Sequence, residues 1–243
     1  MIGTVVNTIA IIIGSLAGFI IKGRLKARYR DILTDVLGLA VIFTGTSSAL
    51  GGMLSKGAEP ILYILSLVFG CLIGEFFDIE GKLNYLGDML QNKIGSSGGN
   101  VSQGFVTASL TFCIGTMAIM GSIESGIMGV HTTLYTKSVI DGVTSVVYAS
   151  TLGIGVMFSA LSVFLYQGSL TLLASLVQPF ITDNMMREIS IVGGILIAAI
   201  GVNMLGIKKF KVGNMLPAIL IPVIYYLPFV SSLVGKASSV FLH

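Results

Sequence analysis

Lys137 and Asp141 stand four residues apart in the segment KSVIDG, so on a helix they share a face and can neutralise one another. Ser138 and Ser145 extend the polar strip along that face. Upstream, TASLTFCIGTMAIMGSIESG carries Thr111, Gly115, Thr116, Ser122 and, near its end, Glu124. Asn7, Asn203 and Gln167 are isolated amides in apolar surroundings. Ionisable and amide groups are costly in lipid and persist there when they pair, line a wet cavity or handle a solute. The chemistry open to this set is binding and proton exchange, with a small polar or zwitterionic solute, a cation or a proton as ligand.

Each of these residues also has a plainer reading. Lys137 can snorkel at the outer interface, with Asp141 near the first turn of a helix, where the positive helix end favours a carboxylate. The glycines, serines and threonines can serve close helix packing, and the asparagines can clamp neighbouring helices for about 0.6–2 kcal/mol. Glu124 can be a solvated loop carboxylate, and Glu75 in GCLIGEFFDIEG can reach water from a helix end.

Catalytic chemistry finds little support, an intramembrane hydrolase using Ser or Asp being the remote alternative. There is no nucleophile elbow, HExxH, phosphate loop or dinucleotide fingerprint. His131 and the terminal His243 are the only histidines and have no partners at ligand spacing. Cys71 and Cys113 lie in apolar runs, where a thiol behaves as a small hydrophobe. No catalytic residue, metal site or cofactor is therefore expected, and the chain is not read as an enzyme.

The elements that must position these groups are membrane helices. Of the 243 residues 54% are hydrophobic and only 10% charged, against about 25% charged in soluble domains; the mean hydropathy is +0.95. Basic residues cluster at predicted membrane ends, which argues for orientation and against nucleic acid. The first apolar run has its positive charges after it, so it reads as a retained first helix.

An all-α polytopic bundle of about eight spans is predicted, at roughly 3–22, 32–51, 59–77, 104–122, 139–158, 160–180, 188–206 and 213–231. The division between the fifth and sixth is weakest, with only Gly153, Gly155, Ser159 and Ser162 to make a turn. Basic loops after the first span (Lys22 to Arg30) and after the seventh (Lys208, Lys209, Lys211) share a side when an even number of spans separates them. The positive-inside rule makes that side cytoplasmic and puts both termini outside. Residues 78–103 form a short amphipathic cytoplasmic helix, with Leu83, Leu86, Leu90 and Ile94 at helical spacing, and then the linker GSSGGN.

A faint internal repeat relates spans one to three (residues 1–77) to spans six to eight (161–231), leaving 104–160 as a central pair. GSL at Gly14 recurs at Gly168, Gly38 and Gly45 recur as Gly194 and Gly201, and Pro60 recurs as Pro217, at offsets of 154 to 157 residues. With that span count the copies would be inverted, as in many secondary transporters. Chance matching in a Gly-rich apolar chain is the alternative.

The opening IGTVVNTIAIIIGSLAG, then ASLTFCIGTMAIMGSIESG, LYTKSVIDGVTSVVYASTLGIGVMFSA and QGSLTLLA closely resemble the bacterial YqgA/YdfK-like membrane family, domain of unknown function 554. The resemblance covers essentially the whole chain. It implies a multi-pass protein of the bacterial cytoplasmic membrane, of a kind labelled as a transporter, and it carries over no substrate and no site residue.

The functional expectation is a carrier-like transporter of a small solute or ion. Its pathway would be lined by Asp141, Lys137, Ser138, Ser145, Thr111, Thr116, Ser122, Glu124, Asn7 and Asn203. The alternative is a non-transporting scaffold or regulatory membrane protein whose Gly-rich helices serve packing and oligomerisation. Besides lipid, the partner expected is a second copy in a homodimer.

Overall fold

The structure, a computed structural model, describes residues 1–23, 26–94 and 101–226. Those residues form helices without a strand: α1 (Ile2–Lys22), α2 (Ala27–Met53), α3 (Pro60–Phe77), α4 (Ile79–Ile94), α5 (Val101–Cys113), α6 (Thr116–Ile127), α7 (Thr132–Leu152), α8 (Gly155–Leu172), a single turn α9 (Ala174–Val177), α10 (Asp183–Met204), and the short α11 (Val212–Met215) and α12 (Leu220–Tyr225). Pro60 opens α3 at a position whose N–H needs no partner. Thr182 caps α10 by accepting from the Met185 amide at 3.2 Å. The linker GSSGGN, residues 227–231 of the last predicted span, Arg24 and His243 lie outside the described residues.

Five helices are long and apolar enough to cross a bilayer (Ile2–Lys22, Asp31–Met53, Pro60–Phe77, Gly155–Leu172 and Asp183–Met204), or six with α5 and α6 taken as one span bent by 63°. The expected count of eight is therefore not reached on length and composition. α7 has the length, at 21 residues, but its interior face carries Lys137, Asp141 and several hydroxyls. The segment Val212–Tyr225 is apolar but short.

Two expected boundaries differ. α7 begins at Thr132 rather than near Val139, because its first turn packs on α6: a Cβ on Gly121 would lie 3.0 Å from Thr133 and Leu134 side-chain atoms. α7 then ends at Gly153, whose φ of 98° terminates the helix, and α8 starts at Gly155 rather than near Ala160. Gly155 is required by its neighbour, since a Cβ there would sit 2.1 Å from the Val101 carbonyl oxygen of α5.

Close backbone approaches define the packing. α1 runs parallel to α7, with Gly14 against the Gly142 carbonyl and Gly18 against that of Val146. α2 runs antiparallel to α10: Gly38 meets Gly201, and Gly45 meets Gly194. α3 lies antiparallel to the α11–α12 segment, with Gly70 on Ala218 and Gly74 on Asn214. Small residues that let backbones meet are the means by which helices associate in lipid, where burying apolar area provides no drive.

The bent pair traverses the bundle. Gly155, at the start of α8, abuts Val101 of α5, whereas Gly126 of α6 abuts the Thr171 carbonyl near the end of α8. A re-entrant loop would return both ends to one side of α8; here they lie at opposite ends. The ends of the bundle are consequently distinct. Lys22, Phe77, Val101, Leu152 and Met204 stand toward a basic end, with Lys208, Lys209 and Lys211. Met53, Pro60, Ile127, Thr132, Leu172 and Asp183 stand toward the other.

Candidate solute or ion site

α7 places Lys137 and Asp141 on its inner face as the sixth and tenth of its 21 residues, inside the helix rather than at its first turn. The Lys137 ammonium lies 2.9 Å from Asp141 Oδ1 and 2.8 Å from Oδ2. Asp141 is 3% exposed, so this is a buried ion pair rather than an interfacial one. α1 supplies Asn7, whose Nδ2 donates to Asp141 Oδ2 at 3.0 Å and to Gln167 Oε1 of α8 at 3.3 Å. One turn outward along the α1–α8 contact, Thr4 and Thr171 share a hydrogen bond of 3.4 Å. Three helices thus meet around one carboxylate.

The cluster is not self-satisfied. Asn7 Oδ1, Gln167 Nε2 and Ser145 Oγ are buried without a hydrogen-bond partner, as is Ser15 Oγ two turns further along α1. Buried polar atoms are normally paired, and each exception calls for an explanation such as an unseen ligand, ion or water. Asn7, Gln167, Ser145 and Ser15 are all fully buried.

Beside the cluster, the fourth span breaks. Its hydrogen-bond ladder stops at the Ile114 amide, which donates to Leu110, and resumes at the Ala118 amide, which donates to Gly115. Gly115 adopts φ 150°, ψ 148°, a region essentially reserved for glycine. Cys113, the last residue of α5, lies within electrostatic reach of both Lys137 and Asp141. Toward the basic end Phe112 and Tyr148 stack with centroids 5.9 Å apart.

Two clefts approach from opposite ends. One of about 650 Å³ opens among Glu80, Asp88, Lys208 and Lys209 and runs along α5 past Ser102 and Thr107 to Leu110. The other, about 460 Å³, is lined by Met120, Ile123, Glu124, Thr133 and Gln178. Neither is lined by Asn7, Lys137, Asp141 or Gln167. The cluster is closed toward both.

Of the residues singled out in the sequence, Asn7, Lys137 and Asp141 are in direct contact, and Ser145 lies one turn along from Asp141. Ser138 and Ser122 bond back to the carbonyls of Leu134 and Ala118. Thr111 bonds to the Thr107 carbonyl and reaches the Tyr148 hydroxyl at 3.4 Å. Thr116 opens α6 beyond the break. Glu124 accepts from Thr133 at 2.6 Å in the second cleft. Asn203 clamps the loop after α10, exchanging two hydrogen bonds with the Phe210 backbone.

Gln167 joins the site although the sequence marked it only as an isolated amide, and Thr4, Ser15 and Thr171 had drawn no attention. Their signal was spacing: Thr4, Asn7, Ile11 and Ser15 fall on one helical stripe, all of it buried. At the bundle ends, other polar groups tie α3 in place. Glu59 accepts from the hydroxyls of Tyr225 and Tyr226, and its amide donates to Glu188 Oε1 at 3.0 Å. At the basic end Glu75 pairs with Lys211 and accepts from Asn214. The hydrogen bond from Lys211 to Glu75 holds its ammonium above the ordinary value.

A long, specific match decides the family. The profile described as "Protein of unknown function (DUF554)" matches residues 2–227. The chain belongs to this DUF554 family. It is 43% identical over 222 residues to "Uncharacterized membrane protein YdfK" of Bacillus subtilis (strain 168), covering 91% of this chain and 94% of that one. It is 32% identical over 226 residues to "Uncharacterized protein YqgA" of Escherichia coli (strain K12), with the same coverage of 91% and 94%. No solved structure matches. The name of the Bacillus subtilis relative and the apolar helices of this DUF554 chain agree on a membrane protein.

Proposed function

We propose that this DUF554 protein is a carrier of a small polar solute or ion in the bacterial cytoplasmic membrane. The observation that carries the proposal is the closed polar cluster inside the bundle, whose unpartnered Asn7, Gln167 and Ser145 atoms sit beside a broken span. Tight packing alone leaves no reason to strand three polar groups in a buried interior. A broken helix at a mid-bundle site, approached by separate clefts from each end, is the arrangement on which alternating access relies.

The topology is read as eight crossings, with α7 and the α11–α12 segment added to the apolar five and the bent pair. Every close pair then runs in the direction its parity demands: α1 with α7 parallel, α2 with α10 and α3 with α11–α12 antiparallel. The basic end is assigned to the cytoplasm by its lysines and arginines, and both termini to the outside. The glycine seam supports an inverted repeat. Gly38 meets Gly201, the counterpart of Gly45, and Gly45 meets Gly194, the counterpart of Gly38, as a two-fold axis in the membrane plane requires.

Flux tests the carrier. In proteoliposomes, Asp141→Asn abolishes uptake of the solute or ion that the wild-type protein moves, while the variant keeps a cooperative thermal melt. Equal flux in wild type and variant removes Asp141 from the mechanism. A protein that moves none of a panel of amino acids, organic acids and inorganic ions favours the scaffold, whose glycine seams would then serve packing alone.

A further inference from the structure

The end of the bundle away from the basic one holds a second polar cluster, apart from the central one. Glu188, the sixth residue of α10, is fully buried. Its Oε1 accepts from the Glu59 amide at 3.0 Å. Its Oε2 has no partner. Buried carboxylates are normally satisfied at both oxygens, because an ionised oxygen without a partner is among the costliest groups to enclose in a low dielectric. An orphan oxygen at such a position calls for a ligand.

The surroundings say which one. Glu59, at the start of α3, keeps its carboxylate within electrostatic reach of Glu188. It is held there by the hydroxyls of Tyr226 and Tyr225, which donate to it at 2.9 and 3.2 Å. Arg187 supplies a single guanidinium. Its Nη1 and Nη2 are spent on the carbonyls of Lys56 and Gly57 and on Asn184, and its Nε, 3.8 Å from Glu188 Oε1, makes no hydrogen bond. Two carboxylates thus face one cation, and the cluster is neutral once it takes up one positive charge. Among the described residues no third carboxylate, thiol or imidazole joins the pair, too few ligands for a metal ion. A proton needs only the one free oxygen.

We infer that Glu188 carries a proton on Oε2, which makes this end of the bundle a proton-binding site. On release the O–H bond breaks, its electron pair stays on oxygen and the proton passes to water. Glu59 and Glu188 then stand as like charges with Arg187 alone to offset them. Glu59 joins three helices, sitting on α3, donating to α10 and accepting from α12, so loss of the proton loosens all three at this end. The inference does not rest on the carrier reading, and the site stands whether or not the protein moves a solute.

The titratable groups around Glu188 come from few elements. α3 brings Glu59, α12 brings Tyr225 and Tyr226, and α10 itself brings Arg187 and, at its first position, Asp183. The part of α2 that packs here, Thr44 to Met53, has no titratable side chain, and Lys56 beyond it is exposed. The segment joining α5 and α6 meets α10 further along, where Ile114 lies against Gly193. The titratable groups of those two helices are elsewhere, Cys113 by the central pair and Glu124 on Thr133.

Infrared spectroscopy reads a protonated carboxyl directly through its C=O stretch. Full-length protein in detergent is expected to show that band at neutral pH and to lose it as the pH is raised. Glu188→Gln removes the band, whereas Asp141→Asn leaves it in place. Glu59→Gln takes away the neighbouring charge, so the band vanishes at a lower pH than in the wild type. Thermal melts give a second readout. The unfolded chain gives up this proton near the ordinary glutamate value of about 4.3 and the native state keeps it, so above that value the wild-type melting temperature falls as pH rises until the native group also ionises. Glu188→Gln, isosteric with the protonated acid, keeps its melt at neutral pH and loses that fall. An ionised Glu188 bridged to Arg187 predicts instead a lower melt for Glu188→Gln at neutral pH, and that result overturns the inference. Folded wild-type protein without the band at neutral pH also overturns it, as does a band undiminished in Glu188→Gln. Where Glu188→Gln does not fold, the wild-type band and its displacement in Glu59→Gln carry the test, and an undisplaced band overturns the pairing. Absence of flux in proteoliposomes removes the carrier and leaves this site.

Discussion

Asn7 does two jobs with one amide nitrogen, donating to Asp141 and to Gln167. Removing it leaves Gln167 Oε1 unsatisfied and takes one of two partners from Asp141 Oδ2, which keeps Lys137, in a fully enclosed site. Asn7→Ala should therefore destabilise the protein by about 1–3 kcal/mol, measured as a lowered melting temperature in detergent. Thr8→Val, beside it, removes only a bond back to the Thr4 carbonyl at 2.8 Å and should leave the melt nearly unchanged. A comparable loss for both would mean that the cluster does not hold α1. The pairing of Lys137 with Asp141 was legible from their spacing, since four residues on a helix bring two side chains together. Their depth was not: Thr132, Thr133 and Thr136 read as loop, and only the contact of that segment with Gly121 and Glu124 of α6 draws it into the helix.

At the scale of the element, glycine decides which helices can touch. A Cβ on Gly18 would stand 2.1 Å from the Val146 carbonyl and 3.0 Å from the Ala149 methyl. Backbone cannot step aside as a flexible side chain can, so Gly18→Ala should force α1 from α7 and cost about 1–3 kcal/mol. Gly51, with nothing within 4 Å, is the internal control. Gly51→Ala should be neutral or stabilise by up to about 1 kcal/mol through helix propensity. Thermal melts of the two variants check the contrast, and equal effects would deny a packing role to Gly18. The break in the fourth span could be anticipated from its glycines and hydroxyls. Its position at Gly115 could not be, because Gly104, Gly121 and Gly126 offer the same freedom and only the bundle selects among them. The end of α7 was misplaced for a similar reason: the close approach of Val101 to Gly155 is a contact between residues far apart in the chain.

For the whole molecule, the parallel and antiparallel pairings make a firm statement about sides. Lys56 is exposed between α2 and α3, and Lys208 is exposed after α10, at opposite ends of the bundle. With Cys71 and Cys113 replaced by serine, Lys56→Cys should react with an impermeant maleimide only from outside the cell. Lys208→Cys should react only in inside-out vesicles. Labelling of both from one side would overturn the eight-crossing topology. The proposed sidedness rests on counting charges along the sequence. The helix pairs themselves could not be read there, since hydropathy records that a segment is apolar and says nothing of which neighbour it meets.

The separation of Asn7 from its partners also has a consequence for how the chain is made. Asp141 and Gln167 follow it by 134 and 160 residues. At ribosomal speeds of about 5–20 residues per second, α1 waits on the order of ten seconds for either. An amide in a lone helix can wait, for a lost interhelical hydrogen bond is worth only about 0.6–2 kcal/mol. A bare charge would wait at greater cost. Lys137 and Asp141 avoid the wait by arriving on the same helix, four residues apart, and can leave the translocon already neutralised. The expected order of assembly is that the charges pair within one helix first and the amides of α1 and α8 close around them once the later helices are made.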